Sequence, residues 1–126
     1  MDEKLKQHGA ISWSELLTVD VAAAKSFYET LFGWNYEDTP TDCMTYTIVK
    51  ANGEEVAGIM SIPPEAGPMP PAWGMYVTVD DVDDASQKAV DLGGKILMPP
   101  KDIPEVGRFC VISDPQGALL SIISYF

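Results

Sequence analysis

Asp20, Leu31 and Gly33 stand at the same mutual spacing as Asp81, Leu92 and Gly94, so one shift of the chain along itself superimposes two helix starts, two helix ends and two terminating glycines. A chain with this repeat folds as two like modules, each a strand followed by an acidic helix start and a helix. Where two such modules face each other, a pocket forms between them. A competing shift matches Thr18-Val19-Asp20 to Thr78-Val79-Asp80 but slips the helices by one residue. The first shift is preferred because caps punctuate a helix. The plain alternative is two unrelated amphipathic helices, each after an ordinary strand.

With 126 residues and 46% hydrophobic content, the chain holds one domain's worth of core, so residues 1–126 are expected to fold as a single domain. Nineteen acids against eight bases give a net charge of -11, which repels phosphate backbones and anionic membrane surfaces. Nucleic acid and membrane are therefore not expected partners. No apolar run approaches the roughly 20 residues that span a bilayer, and the charged stretch from Met1 to Ala10 lacks a signal peptide's apolar centre. A cytoplasmic address is the expectation. Cys43 and Cys110 have no motif spacing and are expected to be free buried thiols.

The first module runs from about 11 to 62. Ile11 to Val19 reads as a strand with Trp13, Glu15, Leu17 and Val19 on one face. Asp20 is an N-cap, and Val21 to Phe32 is a helix whose inner stripe is expected at Ala23, Phe27 and Leu31, ended by Gly33. Trp34 to Glu37, Thr45 to Lys50 and Val56 to Ile62 follow as strands, with Asn52-Gly53 the hairpin turn. Five prolines within 63–71 then forbid helix and favour an extended linker. Composition leaves open whether the modules fold back on each other or pair across a dimer. The second module, about 72 to 126, repeats the order. Ala72 to Val79 is a strand and Asp81 to Leu92 a helix, with Ala85, Ala89 and Leu92 inward and Gly93-Gly94 as its stop. Lys95 to Met98 is a short strand before a loop through Pro99, Pro100 and Pro104; Gly107 to Ser113 and Ala118 to Tyr125 form a hairpin around Asp114-Pro115-Gln116-Gly117. Both modules are βαβββ, which makes the fold class α+β.

These residues carry a resemblance. Leu17-Thr18-Val19-Asp20, Phe27-Tyr28, Leu31-Phe32-Gly33-Trp34, Val79-Asp80-Asp81-Val82, Gly93-Gly94 and Asp114-Pro115-Gln116-Gly117 occur in an order that resembles the vicinal oxygen chelate superfamily of glyoxalase I, bleomycin-resistance proteins and extradiol dioxygenases. The similarity runs from about Ile11 to Phe126. It implies a cup-shaped mixed sheet built from the two modules and, commonly, a homodimer. Trp13-x-Glu15, Phe32-Gly33-Trp34 and the proline-rich bridge are most similar to single-domain glyoxalase-like members.

The resemblance also implies where a divalent metal would sit. Metal-using members take His, Glu or Gln from the first and last strands of each module, and those places correspond here to Trp13, about Gly58, Gly74 and Ser121. An indole, two glycines and a neutral hydroxyl are not ligands for such an ion. The lone histidine, His8, lies in the charged leader and is expected to be solvated or disordered. The expectation is a lost metal site and no cofactor.

Strand parity puts Trp13, Glu15, Leu17, Met60, Tyr76, Thr78, Leu119, Ser121 and Ile123 on the faces that line the cup, a surface suited to a small, partly apolar molecule. The alternative is that they fill the cup as core. Glu15 is the weak catalytic candidate, a base if burial raises its pKa, with a structural carboxylate as the plainer reading. Cys110 has no histidine to activate it. Arg108, the one arginine, is a candidate fork for a ligand carboxylate or phosphate, and otherwise an ion-pair partner. Asp80, Asp81, Asp83 and Asp84 open a helix, where their charge offsets the dipole, and lack the glycine-turned series of a calcium loop. Three functions follow: a metal-free binder of a small molecule through Trp13, Glu15, Met60, Tyr76, Arg108 and Ser121; a glyoxalase-like lyase, isomerase or oxygenase on a small metabolite; or a structural module with a filled cup.

Overall fold

The computed structural model describes residues 2–40 and 45–126, and the chain divides into two compact units. One is continuous, Trp13–Gly74; the other joins the residues up to Ser12 to Met75–Phe126. Cys43 lies outside the described residues.

The continuous unit contains β1 (Ile11–Thr18) from Trp13 on, α1 (Val21–Phe32), β2 (Asn35–Pro40), β3 (Thr45–Ala51) and β4 (Glu54–Ser61). Its strands lie in the order β2-β3-β4-β1, with β1 parallel to β4 and the other neighbours antiparallel. Asp20 starts α1 as expected: its carboxylate accepts from the Ala23 amide at 3.0 Å. Gly33 ends it in the left-handed region (φ 73°), donating its N–H to the Glu29 carbonyl at 2.8 Å. Asn52 and Gly53 both have positive φ, the turn that matches strand twist in a tight hairpin. A bulge follows: Lys50 pairs with Glu55, but Val49 pairs with Ala57, so Val56 is passed over.

Leu16, Val49, Ala57 and Ile59 form the core of this unit, and Val21, Ala24, Tyr28, Trp34 and Tyr36 pack against them. The inner stripe of α1 is therefore Val21, Ala24 and Tyr28, not Ala23, Phe27 and Leu31. The helix is apolar almost all round, so hydrophobic spacing alone fits more than one face. The linker is corrected too. Pro64–Ala66 forms a single 3-10 turn, since proline in a first turn lacks only an N–H that would have no partner.

The second unit contains β5 (Ala72–Thr78) from Met75 on, α2 (Val82–Asp91), β6 (Lys95–Ile103), β7 (Gly107–Ser113) and β8 (Leu119–Tyr125) in the order β5-β8-β7-β6. β5 is parallel to β8, and the β8-β7 and β7-β6 pairs are antiparallel, so the strand pattern of the first unit recurs. Val79, Val82, Cys110 and Ile122 form its core with Ala85 and Ile112. Leu92, expected inward, caps α2 and is exposed. β6 continues through Pro99 and Pro100, where a loop was expected. It is an edge strand with two register shifts, so two missing amide donors cost it nothing on the open side.

The leader is ordered, which its sequence left open. Glu3–Lys6 is a 3-10 turn capped by Asp2. The chain then straps onto the end of β5: Gly9 N–H donates to Thr78 O at 2.7 Å, Thr78 N–H to Ala10 O at 2.8 Å, and the buried Thr78 hydroxyl to Leu5 O. His8 is exposed, its Nδ1 accepting from the Asp80 amide at 3.0 Å.

Candidate functional site

Among the described residues, each unit covers one sheet face with its α-helix and leaves the other without an α-helix. In the Trp13–Gly74 unit, Leu16, Ala57, Ile59 and Val49 face α1, so by alternation Trp13, Glu15 and Leu17 on β1, and Gly58 and Met60 on β4, face the other way. Glu15 is opposite Gly58 and Leu17 opposite Met60. The bulge places Ile48 opposite Gly58 and so brings Ile48 and Tyr46 onto the same face.

A short polar network runs through it. Trp13 donates its indole N–H to the Tyr46 hydroxyl at 2.9 Å, and that hydroxyl donates to Glu15 Oε2 at 2.7 Å. All three side chains are partly buried. Gly58 makes the arrangement possible, because a Cβ there would collide with the Tyr46 hydroxyl and ring. The Tyr46 hydroxyl is the donor, so the network holds Glu15 Oε2 as an acceptor at a fixed place.

The helix-free face of the second unit has its own cluster. Tyr76 is opposite Ser121 and Thr78 opposite Ile123, with Val111 and Phe109 beyond them on β7. The Tyr76 and Phe109 rings lie 6.4 Å apart. At the end of β8 the Tyr125 hydroxyl is 2.8 Å from Ser12 Oγ. Burial pushes the Tyr125 phenol above its ordinary pKa, and the Ser12 hydrogen bond pulls the other way.

Trp13, Glu15 and Met60 thus share one face, and Tyr76 and Ser121 another. Arg108 joins neither. It alternates with Phe109, which puts it on the α2 side of β7, where Nε and Nη2 grip Asp83 at 2.8 and 3.0 Å and Nη1 reaches Asp102 at 3.0 Å. The hydrogen bond to Asp83, then that to Asp102, keeps its guanidinium protonated far above neutral pH, and the same fork holds Asp83 below the usual carboxylate range. Its role is an ion pair that ties α2 to β6 and β7.

Cys110 is free and fully buried on the helix side, and burial raises its thiol pKa, followed by the Asp83 charge; a thiol kept protonated there is no nucleophile. Of the places matched to metal ligands, Gly58 is closed off by Tyr46 and Gly74 is exposed with open space around it. Trp13 spends its only polar hydrogen on Tyr46. Among the described residues no three His, Cys, Asp or Glu side chains are grouped so as to hold a metal ion.

Tyr46 is the member of the polar network that sequence reasoning missed. The signal was a tyrosine on the strand before the Asn52-Gly53 hairpin, readable only with the bulge known.

The model for the Glyoxalase/Bleomycin resistance protein/Dioxygenase superfamily matches residues 10–122. A putative glyoxylase, CFP32, of Mycobacterium tuberculosis is 44% identical over 119 residues, covering 92% of this chain and 46% of the relative. The anthracycline biosynthesis protein DnrV of Streptomyces peucetius is 32% identical over 127 residues, again covering 90% of this chain and 46% of the relative. The chain thus spans about half the length of these curated relatives. Among solved structures, methylmalonyl-CoA epimerase from Mycobacterium tuberculosis superposes with a TM-score of 0.62 at 14% identity, over 90% of this chain and 87% of that one, a likeness of fold. No helix among the described residues is long and apolar enough to cross a membrane. By its matched family model, its relatives and its paired βαβββ order, the chain belongs to the glyoxalase/bleomycin resistance protein/dioxygenase superfamily.

Proposed function

We propose that this protein binds a small, partly apolar or aromatic molecule on the helix-free face around Trp13, without a divalent metal or other cofactor. One observation carries the reading. At Gly58, the β4 position corresponding to a ligand in metal-using members, the space a ligand side chain needs is taken by Tyr46. The other matched positions, Trp13, Gly74 and Ser121, offer neither imidazole nor carboxylate, so the donor set does not suit the ion. Trp13, Leu17, Ile48 and Met60 supply contact surface, and Glu15, held by Tyr46, orients a donor on the ligand. Tyr76 and Ser121 are the matching candidates on the second unit. The relatives' names, a putative glyoxylase and an anthracycline biosynthesis protein, fit business with small organic molecules. On this reading the protein works as a homodimer in the cytoplasm, with no nucleic acid or membrane partner.

The test is a thermal-shift panel of planar aromatic acids and quinones against aliphatic acids of similar charge, run with a strong chelator present. Aromatic probes raise the melting temperature, by an amount that at a hundredfold excess over Kd corresponds to about 2.7 kcal/mol, and Trp13→Ala removes the rise. Zinc, nickel, manganese or iron at one ion per chain, lost only on unfolding, overturns the metal-free reading. A second reading is a glyoxalase-like lyase, isomerase or oxygenase with Glu15 as proton acceptor, favoured by the fixed place at which the 2.7 Å bond from Tyr46 holds its carboxylate beside Trp13. Turnover of a probe lost in Glu15→Gln with its binding intact selects that reading.

A further inference from the structure

The outward face of α1 is built for burial, although its own unit leaves it in solvent. Val19, Phe27, Leu31 and Phe32 are 75%, 60%, 57% and 57% exposed. Ala23 continues the line between Val19 and Phe27 at helical spacing. Trp73, 41% exposed, lies at the edge of the same surface with its indole N–H on the Tyr28 hydroxyl at 3.1 Å. Behind these residues the rings of Phe27, Tyr28, Phe32, Trp34 and Trp73 form an unbroken cluster with neighbouring centroids 5.0 to 6.0 Å apart. A cleft of about 360 Å³ opens between Ala23 and Phe27 on one side and Pro71 and Trp73 on the other.

The internal repeat supplies a control. Under the shift that aligns Asp20 with Asp81, the counterparts of Val19, Ala23, Phe27 and Leu31 are Asp80, Asp84, Lys88 and Leu92. The helix of the second unit thus carries, at three of four places, the charges an open surface normally has; α1 carries none of them. Among its own residues only Lys25 and Glu29 are charged, and Lys25 is turned to Asp38 on β2 at 3.2 Å.

We propose that this face is where two copies of the chain meet, α1 against α1 about a two-fold axis. Two arguments select a second copy. Chains of net charge -11 repel, so self-association belongs where the surface is least charged, and α1 is such a place. The area also suffices. Half-exposed Phe27, Phe32 and Trp73 with Val19 and Leu31 offer roughly 500 Å² of apolar surface per copy. A standard interface takes ~800 Å² per partner, somewhat more than half of it non-polar. A two-fold contact presents one patch to itself, and this patch holds both projecting rings and a cleft to receive them. Rigid aromatic anchors at the centre of the patch are the residue type that carries most interface energy.

This inference rests on the homodimer reading above and adds the surface. Sedimentation velocity of the intact protein up to about 100 µM, the Kd range of a ~5.5 kcal/mol interface, should find the two-copy species. Phe27→Lys, which installs the residue its counterpart position carries, and Leu31→Lys should each weaken association at least tenfold. Leu92→Lys on α2 should leave it unchanged. All three sites are exposed, so the melting profile of the diluted monomer should stay near that of the parent. A two-copy species that survives both α1 substitutions overturns the assigned face and leaves the homodimer standing. A chain that remains single at every concentration overturns both, and gives the face to a different protein.

Discussion

Tyr46 does what no single strand could do alone: its hydroxyl joins an indole to a carboxylate and fills the room above a glycine. Its place on that face depends on the bulge at Val49 and Lys50. Counted from the Asn52-Gly53 turn without a bulge, Tyr46 falls opposite Ile59 and faces the helix; one passed-over residue turns it to the other side. That explains why Trp13, Glu15, Gly58 and Met60 were legible from strand parity while the residue connecting them was not. Arg108 makes the ion pairs that were one of its two readings, because an arginine in an acidic chain has many acids to choose from and took two. Asp38 illustrates the electrostatics of such choices. The Thr47 hydroxyl, then Lys25, hold its carboxyl below the usual range. A depressed carboxyl contributes stability above the unfolded-state pKa of about 3.9 and loses it as pH falls through the lower folded value. Asp38→Asn should therefore lower the melting temperature at pH 7 and flatten its fall below about pH 4, which a series of melts across that range will measure.

The elements were the most legible level. Two helix starts, the hairpin turn and the βαβββ order follow from caps, turn residues and alternation, because these signals act over a few residues. What they could not give was rotation. α1 presents Ala24 and Tyr28 inward, a choice its nearly uniform apolarity leaves to packing. β6 ran past two prolines because its outer edge asks for no donors. Asp20→Ala tests the caps: losing the bond to the Ala23 amide should cost about 1 kcal/mol, read as a lower denaturation midpoint with unchanged slope. Asp81 accepts from the Asp84 amide at the same 3.0 Å, so Asp81→Ala should cost as much.

For the molecule as a whole, family and fold were within reach of the sequence because an ordered series of modest motifs covers nearly all of it. The place of the leader was out of reach. Nothing in the charged leader announces that Leu5, Gly9 and Ala10 fasten to Thr78. Thr78→Val should remove about 1 kcal/mol of stability and speed amide exchange across residues 2–10 well before the rest of the unit opens, as hydrogen-exchange mass spectrometry would record.

That strap sets an order of events during synthesis. Ser12 bonds to Tyr125, 113 residues away, so the unit they share joins residues that are made far apart in time. The Trp13–Gly74 unit is contiguous and can close before residues 75–126 are made; its companion holds residues 2–12 in reserve until β8 has been made.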